Sequence, residues 1–221
     1  MSNRLAIFDC DGTLADGANS ICLAMEQCFT EASLTPPSRE ATRRIVGLNL
    51  PEAMRLLHPA GDEPVHRSLA AAFKTVFRGL RAGGLAPDPL YDGMAEAIVA
   101  LDESGWLLVV ATGKSDRGLS ICLDLHGLGP RFVTLQTADR HPSKPHPSMI
   151  EAAMAEAGAV PASTAMIGDT SFDMAMARAA GVFAIGVTWG YHDRAELIDA
   201  GADCIAERPA DIPALLEKIA A

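Results

Sequence analysis

Asp9 and Asp11 stand two positions apart in Asp9-Cys10-Asp11-Gly12-Thr13, directly after an apolar run. Residues i and i+2 of an extended chain point to the same side, so the pair offers two carboxylates to one place. Gly12 then lets the chain turn away. An ordinary Asp-Gly turn accounts for the same residues. Cys10, between them, should point the other way into a core and is not read as a nucleophile.

Three further groups follow. Thr112-Gly113-Lys114 comes straight after the run WLLVVA. A hydroxyl and free backbone N–H groups at a strand end can hold phosphate oxygens, although a plain strand-to-helix loop looks the same. Lys144 sits in Ser143-Lys144-Pro145-His146-Pro147. Proline stiffens the backbone there, and the lysine either neutralises a carboxylate and a phosphate or is a surface residue of a rigid loop. His146 is read as the start of the next helix. Asp169 and Asp173, in Gly168-Asp169-Thr170-Ser171-Phe172-Asp173, are four apart and share a face at a helix start. A helix cap explains one of them but not both. Several carboxylates around one point repel unless a cation joins them, and an all-oxygen set points to Mg2+.

These residues need a scaffold that brings them together. Short, nearly continuous apolar runs at 4–8, 106–111, 131–135, 164–168, 182–188 and 203–205 read as strands buried on both faces. Helical segments at 93–104, 116–127, 146–157, 171–180, 193–200 and 211–220 lie between or after them. The alternation predicts an α/β fold, a doubly wound parallel-sheet Rossmann-like core. Residues 16–87 show no strand and carry helical periodicity broken by prolines, so they read as a helical insertion after the first strand. The loop Gly83–Pro89 closes it as a hinge. The expected domains are 1–15 with 88–221 for the core and 16–87 for the insertion.

Composition sets outer limits. The 221 residues are 49% hydrophobic, enough for a substantial core, and carry a net charge of -10. A chain so acidic lacks the basic footprint of a nucleic-acid binder, so no nucleic-acid partner is expected. An anionic substrate would need positive charge gathered locally. The insertion is the less acidic part, with eight Lys/Arg against seven Asp/Glu, compared with ten against twenty-one elsewhere. No stretch approaches the roughly 18–20 apolar residues that span a bilayer. No membrane association and a cytoplasmic location are therefore expected. Five cysteines with no C-x-x-C pair read as buried free thiols rather than a zinc site.

Taken in order, FDCDGTL, VVATGK, SKPHP and IGDTSFDM resemble the four motifs of the haloacid dehalogenase superfamily, most closely its phosphoglycolate phosphatase-like members. The insertion resembles that superfamily's helical cap. The resemblance implies a phosphatase with Asp9 as nucleophile and Asp11 as general acid and base. It implies Mg2+ on the Asp9 carboxylate, the Asp11 backbone carbonyl and Asp169, with Asp173 supporting the metal. It implies phosphate binding by Thr112, Gly113 and Lys144. Superfamily members that cleave carbon–halogen or phosphonate bonds lack an aspartate at the place of Asp11, so a phosphate ester is the expected substrate. Cap residues Arg43, Arg44, Gly47 and Leu48 are candidates for substrate selection. Two departures from the common pattern are Ala15-Asp16-Gly17 after the first motif and Ser143 in place of a glycine. The expected partner is a small phosphorylated metabolite, on a monomer or homodimer. A sugar-phosphate mutase and a non-enzymatic phospho-aspartate signalling module are the competing readings.

Overall fold

The computed structural model describes residues 2–220. In chain order the elements are β1 (Asn3–Phe8), α1 (Ala18–Glu31), α2 (Arg39–Arg44), α3 (Leu50–Leu57), α4 (Glu63–Ala82), α5 (Met94–Glu103), β2 (Leu107–Thr112) and α6 (Asp116–Leu125). They continue as β3 (Phe132–Thr137), α7 (Ser148–Ala157), β4 (Ala159–Gly168), α8 (Ser171–Ala180), β5 (Phe183–Val187), α9 (Arg194–Asp199), β6 (Cys204–Ala206) and α10 (Ile212–Ala220).

The six strands form one sheet in the order β3-β2-β1-β4-β5-β6, and every neighbouring pair is parallel. Side chains alternate across it, which splits the apolar runs into two cores. Ala6 and Phe8 of β1, Leu108 and Val110 of β2, and Ile167 of β4 face one side, under α5, α6 and α10. Leu5, Ile7, Val109 and Met166 face the other, under α7 and α8. Fully burying each such Leu, Ile, Val or Phe contributes about 1.5–3 kcal/mol. This double coverage is why the strands read as continuous apolar runs rather than as alternating ones.

Residues 18–82 hold no strand and build four helices. Their apolar faces meet in a separate cluster that includes Met25, Phe29, Met54, Leu69 and Phe73. The chain enters and leaves this unit side by side. Asp16 N–H donates to Pro89 O at 2.8 Å, and Ala15 bridges Leu90.

Several boundaries shift by a residue or two from the sequence reading, and the starts of α7 and β4 shift for a local reason. The α7 helix starts at Ser148 rather than at 146, with Pro147 in its N-cap position. A proline at 147 disfavours helical backbone at His146, so His146 lies in the preceding turn. The β4 strand starts at Ala159, five residues early. Asn3 pairs with Ala159 but Leu5 pairs with Thr164, so 160–163 swell out of the ladder and hide the strand's first turn of pairing. Cys10 lies in the core as expected, and all five cysteines are free thiols.

Candidate active site

β1 and β4 are neighbours at the place where the strand order reverses, the crevice where open α/β sheets take ligands. Asp9 follows β1 directly and Asp169 follows β4 directly. The Asp9 N–H donates to Ile167 O at 2.9 Å and so carries the ladder one step past the strand. That fixes the Asp9 backbone before its side chain is placed.

Asp9 Oδ1 accepts the Cys10 N–H at 2.6 Å and lies 2.8 Å from Lys144 Nζ. Asp9 Oδ2 is buried and has no hydrogen-bond partner. Lys144 Nζ also donates to Asp173 Oδ1 at 2.7 Å. Asp173 Oδ2 in turn accepts the Thr170 N–H at 3.1 Å and the Thr170 hydroxyl at 2.7 Å. Thr170, rather than an aspartate, is thus the N-cap of α8, and Asp173 completes a capping box. Asp169 is held from two sides, by the Thr13 hydroxyl at 2.8 Å and the Tyr191 N–H at 2.9 Å. Carboxylate oxygens of Asp9, Asp169 and Asp173 all lie within 4.8 Å of one another.

Gly12 makes that crowding possible. Its φ is +86°, which an L side chain adopts only with strain, and a Cβ there would stand 2.2 Å from Asp169 Oδ2.

The Asp11 carboxylate is not one of the three that converge, although a shared face for Asp9 and Asp11 was expected. Gly12 starts the turn immediately, and Asp11 Oδ1 faces Lys114 Nζ at 2.8 Å instead. Lys114 Nζ stands 3.8 Å from Asp88 Oδ2, and Asp88 Oδ2 takes a hydrogen bond from Arg81 at 2.5 Å. A buried chain of alternating charge therefore runs from Asp11 through Lys114 and Asp88 to Arg81 on α4.

Five buried carboxylates (Asp9, Asp11, Asp88, Asp169, Asp173) face Lys114, Lys144 and the partly covered Arg81. Negative charge exceeds positive by two. Burial pushes the Asp9 carboxyl up to about 7, against the pull of Lys144. Burial raises Asp11 against the pull of Lys114. Asp169 is raised by burial, and then by Asp9 and Asp173. Burial works to lower Lys144, but Asp173 and Asp9 outweigh it and hold the ammonium above its usual range. The donor set fits a hard divalent cation. It is all oxygen, it carries two surplus negative charges, and it presents the orphaned Asp9 Oδ2. A cation placed there would reverse these upward shifts.

Thr112 ends β2 and is buried, with its hydroxyl oxygen accepting the Lys114 N–H at 3.2 Å. Gly113 lies directly beneath the helical unit, where a Cβ would stand 2.7 Å from Gly47 O and 2.8 Å from Leu48 O. Of the four insertion residues singled out from sequence, Gly47 and Leu48 line a cavity beside Asp11. Arg43 and Arg44 do not. Arg43 is exposed, and Arg44 is paired in a fork with Glu196 of α9, which holds that carboxylate down near about 2. The helical unit is also tied down by the Asn49 N–H, which donates to Ser143 Oγ at 2.9 Å. Ser143, noted above only as a departure, gives the Lys144 loop a grip on the insertion.

A match to the model of the haloacid dehalogenase-like hydrolases covers residues 6–187, most of the chain. The chain belongs to the haloacid dehalogenase-like hydrolases. Among named relatives of this hydrolase, the "Probable phosphatase IndB" of Dickeya dadantii is 38% identical over 207 residues, 92% of this chain and 89% of that one. A "Phosphoglycolate phosphatase" of Agrobacterium fabrum is 30% identical over 221 residues, 97% of this chain and 93% of that one. A crystal structure of a hydrolase from Pseudomonas syringae superposes with a TM-score of 0.86 at 24% identity, covering 99% of this chain and 100% of that one, and shows the shared fold. Family and relatives together make this haloacid dehalogenase-like hydrolase an enzyme of the phosphatase type.

Sequence reasoning gave Lys114, Asp88, Arg81, Thr13 and Tyr191 no role. In the sequence, Asp88 stands out only as part of a hinge loop and Lys114 only as part of TGK. The one available signal was a lysine two residues past a buried strand end, where a charge needs a partner.

Proposed function

We propose that this enzyme is a magnesium-dependent phosphatase that hydrolyses a small phosphorylated metabolite through an aspartyl-phosphate on Asp9. The observation that carries the reading is the state of Asp9. One oxygen is fixed by the Cys10 N–H and Lys144, and the other is buried without a partner.

The steps use this chain's own groups. The Asp9 carboxylate attacks phosphorus, and the bond from phosphorus to the ester oxygen breaks. Asp11 gives its proton to the departing alkoxide. Asp11 then takes a proton from water as that water attacks phosphorus, and the bond to Asp9 breaks to release phosphate. Burial raises the carboxyl of Asp11, which favours the protonated form the first step needs, and Lys114 fixes where it points. Thr112, the Gly113 N–H and Lys144 hold the phosphoryl oxygens, and Lys144 offsets the charge of both nucleophile and phosphate. Mg2+ held by Asp9, the Asp11 carbonyl and Asp169, with Asp173 steadying the site, would neutralise charge on the transferring group. The named phosphatase relatives support this reading, including one whose name gives phosphoglycolate.

The test is phosphate release from a panel of phosphate esters with and without Mg2+. Release that needs Mg2+ and disappears in Asp9→Asn is expected. A mutase would return the phosphoryl group to its native substrate without net release, and a signalling module would hold it. Absence of turnover with every ester would end the proposal.

A further inference from the structure

Between the helical unit and the sheet lies a cavity of about 690 Å³. It reaches Asp11 and Gly113 at one end, so it is continuous with the place where the leaving group of the reaction above would emerge. This inference rests on that reaction and adds what the leaving group is.

The cavity wall is mainly apolar. Met25, Ile45, Leu48, Phe73 and Phe77 line it from the helical unit, and Ile121 lines it from α6. Phe73 and Phe77 lie nearly parallel, with ring centroids 5.6 Å apart and planes at 21°. The cations at the catalytic end are already engaged, Lys114 by Asp11 and Arg81 by Asp88. A small carboxylate held next to Asp11 would find no free cation there. Lys74, Arg78 and Arg117 also line the cavity, but from exposed positions where water already solvates their charge. Cavities of this size enclose ligands much larger than a two-carbon acid, and they bind mainly by apolar contact with a few polar groups. A glycolate or a bare sugar would leave most of this wall against water.

We infer that the substrate is a phosphate monoester whose alcohol carries a large apolar body, aromatic or branched aliphatic, seated against Phe73, Phe77 and Ile121. Apolar contact, not carboxylate recognition, would then set the preference.

The experiment compares kcat/KM for ethyl phosphate, 3-phenylpropyl phosphate and 2-(2-naphthyl)ethyl phosphate, whose alcohols differ little in acidity, with 2-phosphoglycolate and glucose 6-phosphate. Naphthyl fluorescence measures binding separately. The naphthyl ester should exceed ethyl phosphate by at least about a hundredfold, since one methylene in an apolar pocket is worth about 10–200-fold. Ile121→Glu, a change at a partly exposed position, should cut that ratio at least about tenfold. Phe77→Ala gives a second, milder probe of the same wall. A preference for phosphoglycolate or glucose 6-phosphate, or equal rates along the ethyl-to-naphthyl series, overturns the inference. Tight naphthyl-ester binding that Ile121→Glu weakens, without any turnover, would uphold this inference and overturn the catalytic one.

Discussion

Lys114 Nζ lies 2.8 Å from Asp11 Oδ1, in a site where both side chains are about nine-tenths buried. The contact joins the proposed acid–base group to Asp88, and through Asp88 to Arg81 on α4. The lysine therefore does two things. It aims Asp11, and it offsets two carboxylates that water barely reaches. Lys114→Met should lower kcat by about a hundredfold, the lower end of what a placed acid–base group provides. It should also cost about 3–5 kcal/mol in stability, because it strands buried charge. Adding Asp88→Asn should restore part of the stability and little of kcat. Urea unfolding and steady-state kinetics on the three proteins check this. Parallel recovery of both quantities would mean that Lys114 serves stability alone.

The order of strands and helices was legible in the sequence because burial on both faces of the sheet leaves long apolar runs. The residues at the strand ends were legible for a related reason, since Asp9, Thr112 and Asp169 each interrupt such a run at its carboxyl end. The rest depended on contacts between distant segments. Nothing near Asp88 in sequence shows that the chain returns beside Asp16 and places it against Lys114. Arg44 is another such case. It carries a charge suited to an anionic substrate, but its fork fits Glu196, 152 residues away. The early start of β4 was hidden because residues 160–163 leave the ladder and include a proline.

Gly113 tests how closely the helical unit must sit. Its missing Cβ is the space that Gly47 O and Leu48 O occupy, and both obstacles are backbone. Gly113→Ala should leave the sheet folded but lift the 47–48 loop. The expected result is a loss of kcat/KM of at least about tenfold, since misplacing a site by about 1 Å can cost a hundredfold. Tm should change little, and protease cleavage within 83–89 should become faster. Unchanged kinetics would show that the loop is free to move aside.

The surplus negative charge predicts a large response to the cation. Without it, Asp9, Asp169 and Asp173 repel one another around Lys144. Mg2+ at about 100 times its Kd should add about 2.7 kcal/mol of stability, read as a rise in Tm that EDTA reverses. Asp169→Asn should raise the Tm of the metal-free protein and abolish the rise on adding Mg2+. A metal-free Asp169→Asn protein less stable than the parent would contradict the charge argument.

His192 links the sheet to the insertion. Its Nδ1 accepts the Ser171 N–H at 3.1 Å, which leaves Nε2–H to donate to Arg44 O at 3.1 Å. Burial lowers its pKa, and the Arg44 charge lowers it further against the hydrogen bond to the Arg44 carbonyl. The folded protein thus keeps this ring neutral where the unfolded chain has begun to take up a proton. The stabilisation is complete above the ordinary histidine value of 6.5 and is lost as pH falls below it toward the lowered folded value. His192→Gln should flatten the fall in Tm between about pH 7 and pH 5, a range set by the ordinary histidine pKa. An identical pH profile in parent and variant would remove His192 from the acid response.

The central claim is that Asp9 accepts the phosphoryl group. The most direct measurement mixes the Mg2+-loaded enzyme with a phosphate ester it turns over, quenches in acid within one turnover, reduces with borohydride and maps the peptides by mass. An acyl phosphate at residue 9 is converted to homoserine, so the account predicts homoserine at position 9, dependent on substrate and absent from Asp9→Asn. Full turnover with Asp9 unmodified at every quench time, or with the reduced residue at another aspartate, would contradict it.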